Sequence, residues 1–227
     1  MPTINPKSEL EQILSELLPN IPDSISGKEA ILQMKSEGST NWKQMEWIGF
    51  WFEHLVSRHL LPHGKDQELS KHGKTTFDLR RQYIWDLKSH PNQSKSLILN
   101  DKSAIEECLE KEAGLGFIIL SGDVEYDEAG EFKKWHDALK GGTSAYEKSR
   151  ILRKAPSRRR KVNFTPTSVD AYWFSKVSEI EKCLVEGILA EFQTGMRNSN
   201  GKSRKPKIMI KKIDGLSTFN LKSVSLQ

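Results

Sequence analysis

Leu115 to Gly122 reads LGFIILSG, an almost unbroken apolar run of strand length. A strand that is apolar at every position has no face to offer water, so both of its faces need cover. The segment before it, "DKSAIEECLEKEAG", opens at Asp101 or Ser103, has helical spacing and meets a natural stop at Gly114. A helix feeding a doubly covered strand predicts an α/β core closed by a right-handed crossover.

The elements around that pair follow from spacing. Residues 8–18 predict an amphipathic helix with an apolar stripe of Leu10, Ile13, Leu14, Leu17 and Leu18, opened by a Ser8–Glu11 capping box and ended by Pro19. Ser26 and Glu29 repeat the capping pattern. A Trp-rich helix is expected over Asn41–Leu61, with a broad apolar face suited to the core and Pro62 as its stop. Residues 66–70, "TTFDL" and "YIWDLKSH" read as three strands. Beyond Gly122, the acidic "GDVEYDEAGE" and the basic stretch near residue 155 read as loops, residues 175–192 as a helix and "KIMIKKI" as an alternating strand.

Charge divides the chain. Residues 1–139 hold 16 Lys+Arg against 23 Asp+Glu, a net of −7, whereas residues 140–227 hold 19 against 7, a net of +12. The densest stretch, "KSRILRKAPSRRRK" at 148–161, carries eight basic residues and no acid. A basic block on an otherwise acidic chain is the footprint of a surface that neutralises phosphates. Arg150, Arg153, Lys154, Arg158, Arg159, Arg160 and Lys161 are therefore candidate DNA contacts. Asn198, Asn200, Lys202, Arg204 and Lys205 form a second candidate loop, since Arg reads guanine and Asn adenine. No apolar run approaches the roughly 18 residues of a membrane span. The opening "MPTINPKSELEQILSELL" predicts no secretory leader. Cys108 and Cys183 read as small core residues in a reducing compartment.

The chemistry is expected in "TTFDLRRQYIWDLKSH", Thr75 to His90, where Asp78, Asp86 and Lys88 interrupt runs that otherwise read as buried strand. Asp86 and Lys88, two apart, share a face, and Trp85 and Leu87 take the other. Asp78 lies opposite Asp86 only if the pairing is symmetric about Gln82, which needs an odd-length turn or a bulge. Two adjacent carboxylates repel, and a hard divalent cation such as Mg²⁺ removes the conflict. Asp78, Asp86 and the carbonyl of Leu87 would hold it, Lys88 would act on the attacking water, and Glu53 is a third acid within reach from the long helix. Spacing alone also fits a hairpin whose solvent face happens to carry Asp, Asp and Lys.

Phe77-Asp78 followed by Asp86-Leu87-Lys88, with the order helix, three strands, helix, strand, resembles the PD-(D/E)XK nuclease superfamily, and type II restriction endonucleases in particular. Phe77 stands where the family name has proline. The resemblance spans roughly residues 41–121. It implies a restriction-endonuclease-like αβββαβ core with a mixed central sheet, plus a basic, mainly helical and loop C-terminal part. Residues 1–40 would then be N-terminal helices serving dimerisation, 41–139 the catalytic core and 140–227 the DNA-binding part packed on it. It further implies Asp78 and Asp86 as metal ligands, Lys88 as the catalytic lysine, Glu53 as an added helix acid, double-stranded DNA as substrate and a homodimer on a palindromic site. A methyltransferase protecting host DNA and a bacterial cytoplasmic location complete the expectation. A structure-selective nuclease (a junction resolvase or repair enzyme) and a non-enzymatic DNA-binding regulator are the alternatives.

Other signals carry less. "GKTT" at 73–76 lacks the first glycine of a P-loop, because position 68 is Glu68. Asp123, Glu125 and Asp127 lack the glycine a calcium loop needs after Asp127. His59 and His63 are separated by Pro62 and have no cysteine pair. Tyr172 and Trp173 fit core packing better than base stacking.

Overall fold

The computed structural model describes residues 4–60, 71–72, 75–155, 159–198 and 201–226. Its first layer is helical: α1 (Pro6–Leu17), the short β1 (Ile25–Ser26), α2 (Gly27–Ser36) and α3 (Trp47–Leu60). Asn5, rather than Ser8, caps α1: its Oδ1 accepts the Ser8 N–H at 2.8 Å. The expected box at α2 is present, with Ser26 and Glu29 each accepting from the other's backbone. The long helix begins at Trp47 rather than Asn41. Thr40–Lys43 instead forms a 3₁₀ turn capped by Ser39, and Gln44 is extended.

After a ribbon of β2 (Lys71–His72) and β3 (Thr75–Thr76) come β4 (Leu79–Arg80), β5 (Ile84–Pro91), β6 (Leu97–Asp101), α4 (Lys102–Lys111) and β7 (Leu115–Tyr126). The rest is α5 (Glu131–Leu139), α6 (Ala145–Leu152), β8 (Lys161–Phe174), α7 (Val177–Val185), β9 (Leu189–Phe192), β10 (Lys207–Ile210) and β11 (Asn220–Ser225). The main sheet runs β1-β8-β7-β5-β4, with β11 also on β8; β6, β10 and β9 form a second, smaller sheet. β5 and β7 are parallel and the other main-sheet pairs antiparallel, so the fold is α/β with a mixed central sheet.

β7 is covered on both faces, as its composition demands. Ile118 and Leu120 pack with α1, α2 and α3, while Phe117 and Ile119 pack with residues of α4, α7 and the small sheet. The stripe of α1 is spent in the same way: Leu10, Ile13, Leu14 and Leu17 are buried in the chain's own core.

Several expectations are corrected. The candidate strand at 66–70 lies outside the described residues. "TTFDL" is broken into β3 and β4. The acidic loop is partly strand, since β7 continues to Tyr126 with Asp123 and Glu125 on its solvent side. The helix expected over 175–192 ends at Val185, where Gly187 (φ 69°) turns the chain into β9. The C-terminal part is not mainly helix and loop: β8 is a long interior strand, antiparallel to β7. Pro166 hides it in the sequence, because proline cannot supply a ladder N–H. The structure accommodates Pro166 with a register shift, pairing Ser121 with Ser168 but Gly122 with Pro166. Among the described residues, no helix is long and apolar enough to cross a membrane.

Candidate active site

The hairpin of β4 and β5 sets the geometry. Leu79 pairs with Trp85 and Arg80 with Ile84, so the register is symmetric about Gln82 and the turn is the odd-length Arg81-Gln82-Tyr83. One step outward, Asp78 leaves the ladder at a bend and turns its carboxyl onto the edge of β5. The turn is held from α1 by Glu9, which is 1 % exposed. Its carboxylate accepts the N–H groups of Gln82 (2.7 Å) and Tyr83 (3.1 Å) and the indole N–H of Trp85 (2.8 Å). Reading the sequence missed Glu9; its place among the apolar residues of α1 was the available signal.

Trp85 and Leu87 face the helical layer, and Ile84, with Asp86 and Lys88 in step behind it, faces the other way. Among the described residues no strand pairs the outer edge of β5 beyond Trp85. There Asp78 takes over, its Oδ2 accepting the Leu87 N–H at 2.8 Å. In a strand, the N–H and C=O of one residue leave by the same side. The Leu87 carbonyl therefore also points to the edge that Asp78 occupies.

Asp86 is 1 % exposed. Its Oδ1 accepts from the side-chain amide of Asn100 at 3.0 Å, and its Oδ2 is ion-paired with the Lys88 ammonium. Asn100 comes from β6, a strand the sequence did not announce. Across the open edge, the charge of Glu53 on α3 is felt by both Lys88 and Asp78. Burial, and then the charge of Asp86, pushes the Asp78 carboxyl up to about 8. Burial raises Glu53 to about 7, against the pull of Lys88. Burial works against the Lys88 charge, but Asp86, Asp78 and Glu53 outweigh it and hold its pKa above the usual lysine value. Among the described residues, no group of three His, Cys, Asp or Glu side chains is placed to hold a metal by itself. A site here would rest on two carboxylates, a backbone carbonyl and water, which suits Mg²⁺.

A cleft of about 560 Å³ opens beside the edge, lined by Glu46, Glu53, His90, Lys161, Phe192 and Met209 among others. Asp78, Asp86 and Lys88 are not in its wall; Glu53 links it to them electrostatically. His90 continues the Asp86–Lys88 face, and its Nε2 is buried without a partner. Phe192 and Met209 belong to β9 and β10, so the hairpin between these strands leaves from the cleft's rim.

The candidate DNA contacts separate into groups. On that hairpin Lys202, Arg204 and Lys205 are exposed, and Asn198 holds the turn by accepting the Lys202 N–H at 3.0 Å. The basic run is less uniform than its charge predicts. Arg150 is not a free phosphate contact: it binds the buried Glu147 at 2.7 Å and the carbonyl of Ala155. Arg159 pairs with Glu128 and lies 4.3 Å from the Tyr126 ring centre. Arg153 donates to the Ser149 carbonyl at 3.2 Å, and Lys154 follows α6 with φ 50°. Lys161 pairs with Glu46 at 2.6 Å on the cleft wall, while Arg160 is buried. Arg158 and Asn200 lie outside the described residues. Tyr172 is buried and Trp173 packs on Tyr83 and Trp85, as core aromatics do.

Comparison with protein-family models, curated proteins and solved structures gives no match.

Proposed function

We propose that this protein is a Mg²⁺-dependent endonuclease of the restriction type, hydrolysing phosphodiester bonds in double-stranded DNA. The observation that carries the reading is the cluster at the open edge of β5, where Asp78, bonded to the Leu87 N–H and feeling the charge of Asp86, stands with Asp86 and its ion-paired Lys88 two residues on. The α/β core with a mixed sheet and a helix leading into a strand parallel to β5 supports a restriction-endonuclease-like arrangement.

The residues fit a divalent cation. Three carboxylates (Asp78, Asp86 and Glu53) face one ammonium, and two of the acids are driven toward their protonated forms. A dication would offset the two excess negative charges. Asp78, Asp86 and the Leu87 carbonyl would hold it, with Glu53 at the margin. Bound there, Mg²⁺ would lower the pKa of a water and stabilise charge on the phosphate. Asn100 fixes the Asp86 carboxylate, and Asp78 stays aligned through the Leu87 N–H. Lys88 keeps its proton and presents positive charge to the phosphate or the incoming water. DNA would enter by the cleft, with the basic β9–β10 hairpin at its rim. Two copies related by symmetry would address the two strands of a palindromic site, with a separate methyltransferase protecting host DNA.

The test is incubation of purified protein with linear phage DNA, in Mg²⁺ or EDTA, beside Asp86→Asn and Lys88→Ala. Discrete fragments are expected only from the wild type with Mg²⁺, both variants cutting at least about 100-fold more slowly. Salt-sensitive binding without cutting in any lane would sink the restriction-enzyme reading and favour a DNA-binding regulator or a nuclease that needs a branched substrate.

A further inference from the structure

Beside the cleft lies a second pocket, of about 440 Å³, lined by Lys43, Asp137, Lys140, Ser144, Glu147 and Arg160 among others. Arg160 is 8 % exposed and its Nε is buried with no hydrogen-bond partner. Among the described residues, its guanidinium has neither an ion pair nor a hydrogen bond. A guanidinium cannot shed its charge in a protein, and an unpaired buried charge is costly. The deficit is not for want of acids in the same wall. Asp137 is held by Lys140 at 3.0 Å and Lys133 at 3.1 Å, and Glu147 by Arg150 at 2.7 Å and Lys133 at 3.4 Å. Both stay ionised. The hydrogen bond from Arg150 leads in holding Glu147 down to about 2, and Lys140 and Lys133 overcome the burial of Asp137 to keep it below the usual carboxylate range. Each acid is matched by cations other than Arg160, leaving Arg160, with Lys43, as positive charge facing an opening.

We propose that the Arg160 pocket binds a phosphate group. The planar fork of arginine matches phosphate oxygens, and the Ser144 hydroxyl and the Lys43 and Lys140 ammonium groups add donors of the required kind. The pocket adjoins the catalytic cleft along the chain at two places: Arg160 precedes Lys161, and Lys43 to Met45 precede Glu46, with Lys161 and Glu46 both lining the cleft. A nucleic-acid strand crossing the cleft would bring a neighbouring backbone phosphate to Arg160. This deepens the nuclease reading and rests on it only for the source of the phosphate; binding can be measured whether or not anything is cut.

The experiment is calorimetric titration of the full chain, in EDTA and at fixed ionic strength, with inorganic phosphate and separately with a short DNA duplex. Wild type is compared with Arg160→Gln, Arg160→Lys and the exposed control Lys7→Gln on α1. Arg160→Gln should weaken binding about tenfold or more, Arg160→Lys should fall between, and Lys7→Gln should match wild type. Weakening toward both probes assigns a site open to free phosphate; weakening toward the duplex alone assigns a phosphodiester site. Unchanged affinity of Arg160→Gln for both probes overturns the proposal. Should that variant fail to fold, the Nε–H resonance of Arg160 in the wild type decides: it must shift on adding phosphate or duplex, and one that neither moves rejects the site.

Discussion

Asp86 is the residue on which the site depends, and its surroundings state what its loss would do. Asn100 and Lys88 both turn toward it, so truncation strands an amide donor and an ammonium in a protected place. Breaking such a pair by removing one partner costs about 3–5 kcal/mol, mainly through the charge left behind. Asp86→Ala should lose stability on that scale in urea unfolding, and Asp86→Ala combined with Lys88→Met should recover much of it. Equal losses in the single and double variants would mean that Lys88 is satisfied without Asp86. At this scale much of the candidate site was readable from sequence: Asp78, Asp86 and Lys88 stand out as charges in strand-like runs, and Glu53 as a charge in an apolar helix. Asn100 was not. Nothing about an asparagine near the end of "SLILND" announces that its strand passes beside β5.

At the level of elements, the hairpin was legible because period-two alternation fixes which residues share a face, and bringing Asp78 to Asp86 required an odd-length turn or a bulge. The device that enforces this turn was not legible, because it comes from α1, more than seventy residues away in the chain. Glu9→Ala removes the acceptor for two backbone N–H groups and one indole. A loss of about 3 kcal/mol or more is expected, with faster amide exchange at Gln82 and Tyr83 than elsewhere in β5. Uniform exchange along the strand would show that the register survives without Glu9. β8 escaped detection for a different reason. Its mixture of Lys, Asn, Thr and Pro166 looks like a linker, and only burial between β7, β1 and β11 makes it strand. Tertiary partners, not local propensity, decide such a segment.

For the whole molecule, the buried acids link stability to pH and to metal. Asp78 and Glu53 have folded-state pKa values near 8 and 7, above their ordinary values of 3.8 and 4.5. Over that interval the folded state holds more protons than the unfolded one, so stability falls as pH rises. Lys88, whose pKa is also raised, acts in the same direction, but its stabilisation is lost only above its ordinary value of 10.5, outside this window. In EDTA, the melting temperature should therefore drop between about pH 5 and pH 8. Mg²⁺ should restore it, more at pH 8 than at pH 5, because at low pH the cation must compete with protons. A Mg²⁺ effect independent of pH would place the metal somewhere other than these carboxylates. The charge division along the sequence is redistributed in three dimensions: part of the basic run is absorbed by Glu46, Glu128 and Glu147, and the exposed positive charge on the β9–β10 hairpin comes from farther along the chain.

The contact between Asp78 and the Leu87 N–H has a consequence unrelated to chemistry. An unpaired strand edge is a template on which another copy of the chain can add a strand, the first step toward aggregation. On β5 the Asp78 carboxyl covers a backbone donor where β4 ends, leaving one N–H fewer for an incoming strand. The residue proposed to hold the metal thus also guards the sheet against self-association. Asparagine at this position would keep an acceptor for that donor; alanine would remove guard and ligand together.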